Sequence, residues 1–220
     1  PSLLKKTLKF VHDWPPMFAI YSMAVLKNNG HEVIYSKNLP DNLEDIDLFI
    51  IISSIVCCET EIKKIKEILL INKKILVIGP FATNNPKKYL DAGASVISGE
   101  PEFYFLQNKD LSNIDYNKII NFTHNFNLDD LPYPDWGSVI TNQKTSVLFG
   151  LSKSLPILAT RGCPYSCFKY CVYPLQQGRV PRQRDPVKIV DELEYWYRKY
   201  NVKMFIFRDP VFSINRKHTI

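Results

Sequence analysis

Short apolar runs alternate with longer amphipathic stretches from residue 7 to about 122, and this alternation predicts β-α-β units around a parallel sheet. Leu8 to Val11 reads as a strand, and Pro16 to Asn29 as a helix opened by proline and closed at Gly30. Val33 to Tyr35 is a second strand. Leu48 to Ser53 is a third, apolar from Leu48 to Ile52 and therefore read as buried. Between Glu59 and Ile71, apolar residues at Ile62, Ile65, Ile68 and Leu69 form a helical stripe. Ile75 to Ile78, Val96 to Ile97 and Ile119 to Phe122 complete the strands.

The expected fold class is α/β, a doubly wound parallel sheet of Rossmann or flavodoxin type. Ligands of such sheets sit beyond the carboxyl ends of the strands. The expected crevice is therefore built from Trp14 to Pro16, Ser53 to Cys58, Gly79 to Thr83 and Gly99 to Glu100. No G-x-G-x-x-G follows the first strand, which argues against a dinucleotide. Residues 129–154 change in texture: Asp129-Asp130-Leu-Pro-Tyr-Pro-Asp-Trp-Gly carries turn formers and two prolines and marks a linker. It separates a domain over 1–128, expected to fold alone, from a second segment over 155–220. There Leu155 to Thr160 is a strand, and Pro186 opens a helix behind the N-cap Asp185. Ile189, Val190, Leu193, Trp196 and Tyr197 recur at helical spacing and read as core. Val202 to Phe207 is a further strand, ending at Arg208 and Asp209.

With 220 residues and 45% apolar composition, the chain can bury one large or two modest cores. No apolar stretch reaches the roughly 18 to 20 residues that cross a bilayer, and Pro-Ser-Leu-Leu-Lys-Lys at the start lacks a signal-peptide run. A cytoplasmic location without membrane association is expected. Five cysteines, an odd count with Cys57 and Cys58 adjacent, favour a reducing compartment. The net charge of +6 is scattered rather than gathered into a basic stripe, so nucleic acid is not indicated. Arg179, Arg182 and Arg184 form the tightest basic group and read either as a hold for an anionic substrate or carboxylate or as a solvated arm.

Cys163, Cys167 and Cys171 fall in one run, Arg-Gly-Cys-Pro-Tyr-Ser-Cys-Phe-Lys-Tyr-Cys. Extended chain covers about 3.3 Å per residue, so cysteines four apart converge only if the segment curls around what it binds. A structural zinc site wants four protein ligands, and His124 and His218 stand far off in sequence. Three cysteines fit a 4Fe-4S cluster with one iron left open. Two other readings remain: zinc, and a helix that lines the cysteines along one buried face. Cys57 and Cys58 read as apolar or loop residues.

The segment resembles the radical S-adenosylmethionine enzymes, whose cysteines are spaced with three and then two residues between them. Here the spacing is three and three. Thr-Arg-Gly-Cys-Pro before the loop, Tyr-Pro and Gly-Arg after it, and Phe-Arg-Asp-Pro-Val-Phe-Ser further on extend the likeness. The resemblance implies that Cys163, Cys167 and Cys171 hold the 4Fe-4S cluster and that its open iron chelates S-adenosylmethionine. It further implies that one electron from a reduced ferredoxin or flavodoxin-type donor yields a 5′-deoxyadenosyl radical, which acts on a small-molecule substrate. It places Tyr170 near the adenine and Asp209 near the amino group of the cofactor.

Asn-Gly-His-Glu-Val, Ile-Gly-Pro-Phe-Ala-Thr and Ser-Gly-Glu-Pro-Glu resemble the cobalamin-binding domain that precedes the barrel in one branch of that family, whose members transfer methyl groups or form rings. The D-x-H-x-x-G ligand pattern is absent, Phe81 stands where relatives carry histidine, and His31 reads as structural. Any cobalamin would thus bind without a histidine from this segment. Leu-Pro-x-Pro-Asp-Trp resembles that branch's interdomain segment, with Trp136 packing against one domain. Segment 155–220 has room for about two β-α units, the first β-α-β part of a partial barrel. The sequence therefore reads as the N-terminal portion of a longer enzyme, inactive by itself. The rival expectation is a non-catalytic flavodoxin-like scaffold with a zinc or vestigial metal loop.

Overall fold

The computed structural model describes residues 14–40, 42–112, 114, 116–121, 126–140, 154–167 and 170–220. The expected strand at Leu8 to Val11 lies outside them. Helix α1 (Met17–Asn28) follows Pro16 and is buried around its whole circumference from Ala19 to Leu26. Its first polar surface is Lys27, so this helix must be sandwiched rather than laid on a surface.

A parallel sheet follows: β1 (Leu48–Ile52), α2 (Cys58–Leu69), β2 (Lys74–Ile78), the short helices α3 (Pro80–Asn84) and α4 (Pro86–Leu90), β3 (Ser95–Ser98), α5 (Pro101–Gln107) and β4 (Ile119–Asn121). The strands lie in the order β1-β2-β3-β4, all parallel. One face packs Ile65 and Ile68 of α2 and Tyr89 of α4 on Phe49, Ile75, Val77 and Val96. The other packs Val25 and Leu26 of α1 and Phe105 of α5 on Leu76, Ile78 and Ile97. Helices on both faces explain why the central strands are continuous apolar runs. The architecture is α/β with a Rossmann-like parallel sheet.

Val33 to Tyr35 carries no strand pairing among the described residues. Val33 and Tyr35 instead lay their side chains against the core while Ile34 faces solvent. The period-two pattern is that of a one-sided packed segment, which alternates whether or not a ladder forms.

After a 3-10 turn at Leu128–Asp130 and α6 (Gly137–Ile140), the chain forms β5 (Ser154–Ile157), β6 (Thr160–Arg161), α7 (Tyr173–Gln177), β7 (Arg182–Gln183), α8 (Pro186–Tyr200), β8 (Met204–Phe207) and α9 (Arg216–Thr219). β5 and β8 pair in parallel across α8, a single β-α-β unit, while β6 and β7 pair antiparallel. Asp185 caps α8, its Oδ1 accepting the Val187 N–H at 2.8 Å, and Asn201 ends it in the left-handed region. Ile189 and Trp196 face the core, but Val190 (60% exposed) and Tyr197 (54%) do not. They lie on the far edge of the stripe, where with Leu193, Val202 and Phe205 they line an open groove.

The apolar core does not divide at residue 128. Ile20 and Met23 of α1 join Trp136, Leu155, Ile157, Ile189 and Trp196 in one cluster, and Trp14 meets Trp136 edge to face at 5.3 Å. Helix α1 therefore packs on both sheets. Trp136 is fully buried. Among the described residues no helix is long and apolar enough to cross a membrane.

Candidate functional site

The cysteine loop leaves β6 and returns through β7, so the antiparallel pair Arg161 and Arg182 forms its base. Gly162 is the first turn residue, at φ +82°, and a Cβ there would stand 2.2 Å from the Val180 carbonyl oxygen. Only glycine fits. Its N–H donates to Gln177 Oε1 at 3.1 Å, and the Cys163 N–H donates to the Gly178 carbonyl at 3.1 Å. Gly162→Ala is expected to cost about 2–3 kcal/mol or more, since backbone must move as well as φ; thermal unfolding checks this, and a loss under about 0.5 kcal/mol contradicts it.

All three loop thiols are free. Cys163 is buried, Cys171 half-buried and Cys167 exposed. They share one loop, but among the described residues no three metal-ligating side chains stand close enough to hold an ion. Their fit to a metal thus rests on the donor set, three free thiols on one segment pinned at both ends. Cys57 is exposed, and Cys58 is buried at the start of α2, away from the loop.

Beneath the loop lies a buried charge cluster. Arg161, only 3% exposed, pairs with Glu100 Oε1 at 2.8 Å and with Glu102 Oε1; Arg182 Nη2 meets Glu100 Oε2 at 2.6 Å. Both carboxylates come from Ser-Gly-Glu-Pro-Glu, at the carboxyl end of β3. Burial works against the Arg161 charge, but Glu102 and Glu100 outweigh it and hold the guanidinium protonated. Burial also pushes the Glu102 carboxyl up, against the pull of Arg161. A second buried pair, Arg184 Nη1 to Glu192 Oε2 at 2.5 Å, lies nearby, and Arg184 also donates to the Leu158 carbonyl. Arg182 and Arg184 are therefore engaged with internal carboxylates rather than extended as a solvated arm. Arg179 is exposed and reaches Ser166 Oγ at 3.2 Å, across the loop.

Asp209 stitches the strand ends together. Its Oδ1 accepts the Ala159 N–H at 2.8 Å and the Thr160 N–H at 2.6 Å, while Oδ2 is buried without a hydrogen-bond partner. Burial raises its carboxyl above the usual range, opposed by those two N–H groups. Asp209→Ala should cost about 2–3 kcal/mol by orphaning two backbone donors, and Asp209→Asn under about 1 kcal/mol because an acceptor remains. A raised folded-state value means that stability falls as pH climbs through it, and the asparagine variant should lack that component. Equal losses in the two variants across urea melts at several pH values would count against this role.

A cavity of about 330 Å³ opens between the two halves. Trp14, Phe18, Pro156, Leu158 and Ile206 give it apolar walls, and Glu100, Arg161, Gln176, Gln177 and Arg208 give it polar ones. Trp14 to Pro16, Pro80 and Glu100 belong to the crevice expected from sequence. Ser53 to Cys58 lies outside the lining. Gln176 is 5% exposed, with its Nε2 unpartnered. Tyr170 is 74% exposed and does not line the cavity, whereas Tyr173 does. Asp209 is also outside it, and its neighbour Arg208 is in. The sequence assigns no site role to Arg161, Gln176, Gln177 or Arg208, although Arg161, immediately before Gly162 and Cys163, and Arg208, at the end of a predicted strand, carry a positional signal.

No protein-family model matches the chain. Over 189 residues, 83% of the chain and 34% of the relative, it is 26% identical to an uncharacterized methyltransferase of Synechocystis sp.. A stretch that long must include the four-stranded sheet and the cysteine loop. Over 89 residues, 40% of the chain and 14% of the relative, it is 39% identical to the anaerobic magnesium-protoporphyrin IX monomethyl ester cyclase of Cereibacter sphaeroides. Over 90 residues, 38% of the chain and 20% of the relative, it is 32% identical to the bacteriochlorophyllide d C-8(2)-methyltransferase of Chlorobaculum tepidum. The chain thus spans between 14% and 34% of the length of these curated relatives. Each is named as an enzyme, two as methyltransferases and one as a cyclase.

Proposed function

We propose that this chain is part of a radical S-adenosylmethionine enzyme of the methyl-transferring or ring-forming kind, with Cys163, Cys167 and Cys171 as ligands of a 4Fe-4S cluster. The observation that carries it is that three free thiols share one loop, closed by Gly162 and the Arg161/Arg182 pair, and that the loop's flanking residues Arg161, Val172 and Tyr173 line a cavity at the strand carboxyl ends. When bound, such a cluster supplies the electron that cleaves the cofactor's sulfonium. The chain's own residues do the rest. The cysteines ligate as thiolates, so metal uptake releases protons. Arg208 offers a guanidinium to a carboxylate in the cavity, and Gln176 an amide donor. Trp14, Phe18, Leu158 and Ile206 keep water off the ligand. The whole enzyme's substrate is a small molecule, and its electrons come from a ferredoxin or flavodoxin-type donor.

Cobalamin has a weaker case. About 330 Å³ is at the low end for a drug-sized ligand, and a corrin is far larger. The described histidines are occupied away from the cavity, His31 against the Lys109 carbonyl and His218 against the Arg184 carbonyl. As arranged, the cavity does not fit a corrin, and we derive no step through one.

The test is to reconstitute the protein anaerobically with iron and sulfide, reduce it with dithionite, and add S-adenosylmethionine. The expected result is a change in the electron paramagnetic resonance signal of the reduced cluster. A signal indifferent to the cofactor at saturating concentration contradicts an open iron.

A further inference from the structure

One carboxylate of the N-terminal half touches both ends of the cysteine loop. Glu100 follows β3, and its two oxygens diverge: Oε1 receives Arg161 at 2.8 Å from the outgoing strand, and Oε2 receives Arg182 at 2.6 Å from the returning one. Those two arginines are the paired residues at the loop's base. Arg182 Nη2 also donates to the Gln177 carbonyl at 2.8 Å, and Gln177 Oε1 in turn accepts the Gly162 N–H, one residue before Cys163. The guanidinium of Arg161 lies over the ring of Tyr21 at 5.1 Å and over that of Phe103 at 5.7 Å, both from the N-terminal half. With Glu100 98% and Arg161 97% buried as side chains, water competes little for these contacts.

We propose that Glu100 is a positioning residue, a clamp by which the N-terminal α/β half holds the base of the cysteine loop closed and fixes Cys163. The loop's β6/β7 ladder is only two residue pairs long, too short to be stable without help. Glu100 supplies that help, with two charge-assisted bonds that bridge the strands from outside. The conformation of the cysteine loop is thereby governed by a residue of a different sheet. This builds on the loop being the metal site, but the test below uses metal-free protein, so it stands or falls separately from iron binding.

The test compares thiol reactivity, cysteine by cysteine, using a chromogenic aryl disulfide and peptide mass spectrometry. Cys163 is 5% exposed and Cys58 4%. Cys58 sits in the N-terminal core, so its labelling reports global opening while that of Cys163 reports opening of the loop base. In Glu100→Gln, Cys163 should react about tenfold faster or more, the factor expected for losing charge-assisted bonds, with a smaller rise at Cys58. Arg182→Met, at the partly exposed arm of the clamp, should act in the same direction, and the double variant should be no faster than the faster single one. Unchanged Cys163 labelling in either variant overturns the proposal, as does a parallel rise at Cys58. Should Glu100→Gln fail to fold, Arg182→Met alone decides by the same two cysteines.

Discussion

Replacing any one of Cys163, Cys167 or Cys171 by alanine is expected to strip most of the iron from anaerobically reconstituted protein, while Cys57→Ala and Cys58→Ala leave it in place. Three thiols on one loop are the whole protein donor set for a cluster with an open iron, so losing one leaves a cluster edge without an anchor. Cys57 and Cys58 belong to the start of α2, on a different sheet. Cys171 carries the sharpest test, because the three-and-three spacing sets it one residue further along than the related pattern. Full iron content in Cys171→Ala would remove it from the ligand set.

Arg161→Met should be the most destabilising single change in the buried charge cluster, at about 3–5 kcal/mol, because it leaves Glu100 and Glu102 facing each other without their shared cation. Both carboxylate side chains are almost wholly inaccessible. Burial already pushes Glu102 up, and the loss of Arg161 removes what pulls it back. The exposed i,i+4 pair Glu194–Arg198 on α8 provides the contrast: its side chains are 51% and 74% exposed, and breaking it should change little. Urea melts of Arg161→Met and Arg198→Met give the comparison. A loss under about 1 kcal/mol for Arg161→Met would mean that the cluster is hydrated or neutralised rather than a desolvated ion pair.

The parallel sheet was legible because buried strands write themselves as apolar runs: β1 as Leu-Phe-Ile-Ile-Ile and β2 as Lys-Ile-Leu-Val-Ile. The cap at Asp185 and the helix it starts were legible for an equally local reason. Val33 to Tyr35 was misread because alternation reports a half-buried segment and is silent on pairing. Which sheet α1 covers was not legible, because the helix has no polar face to betray it. It covers both. For the site, the cysteines and the Trp14, Pro80 and Glu100 part of the crevice could be found from motif and topology. The fates of Arg182 and Arg184 could not: their partners Glu100 and Glu192 lie 82 and 8 residues away, and charge pairing across such separations leaves no spacing to read. Gln176 and Gln177 line the cavity from α7, a helix that no motif in the sequence marks.

The most direct measurement is the metal content of the protein purified without air and reconstituted with iron and sulfide. About four irons and a matching amount of sulfide per chain, with a broad brown absorbance that fades on exposure to oxygen, is the expected result. Zinc bound at one per chain with no iron or sulfide would contradict the account and make the loop a structural metal site.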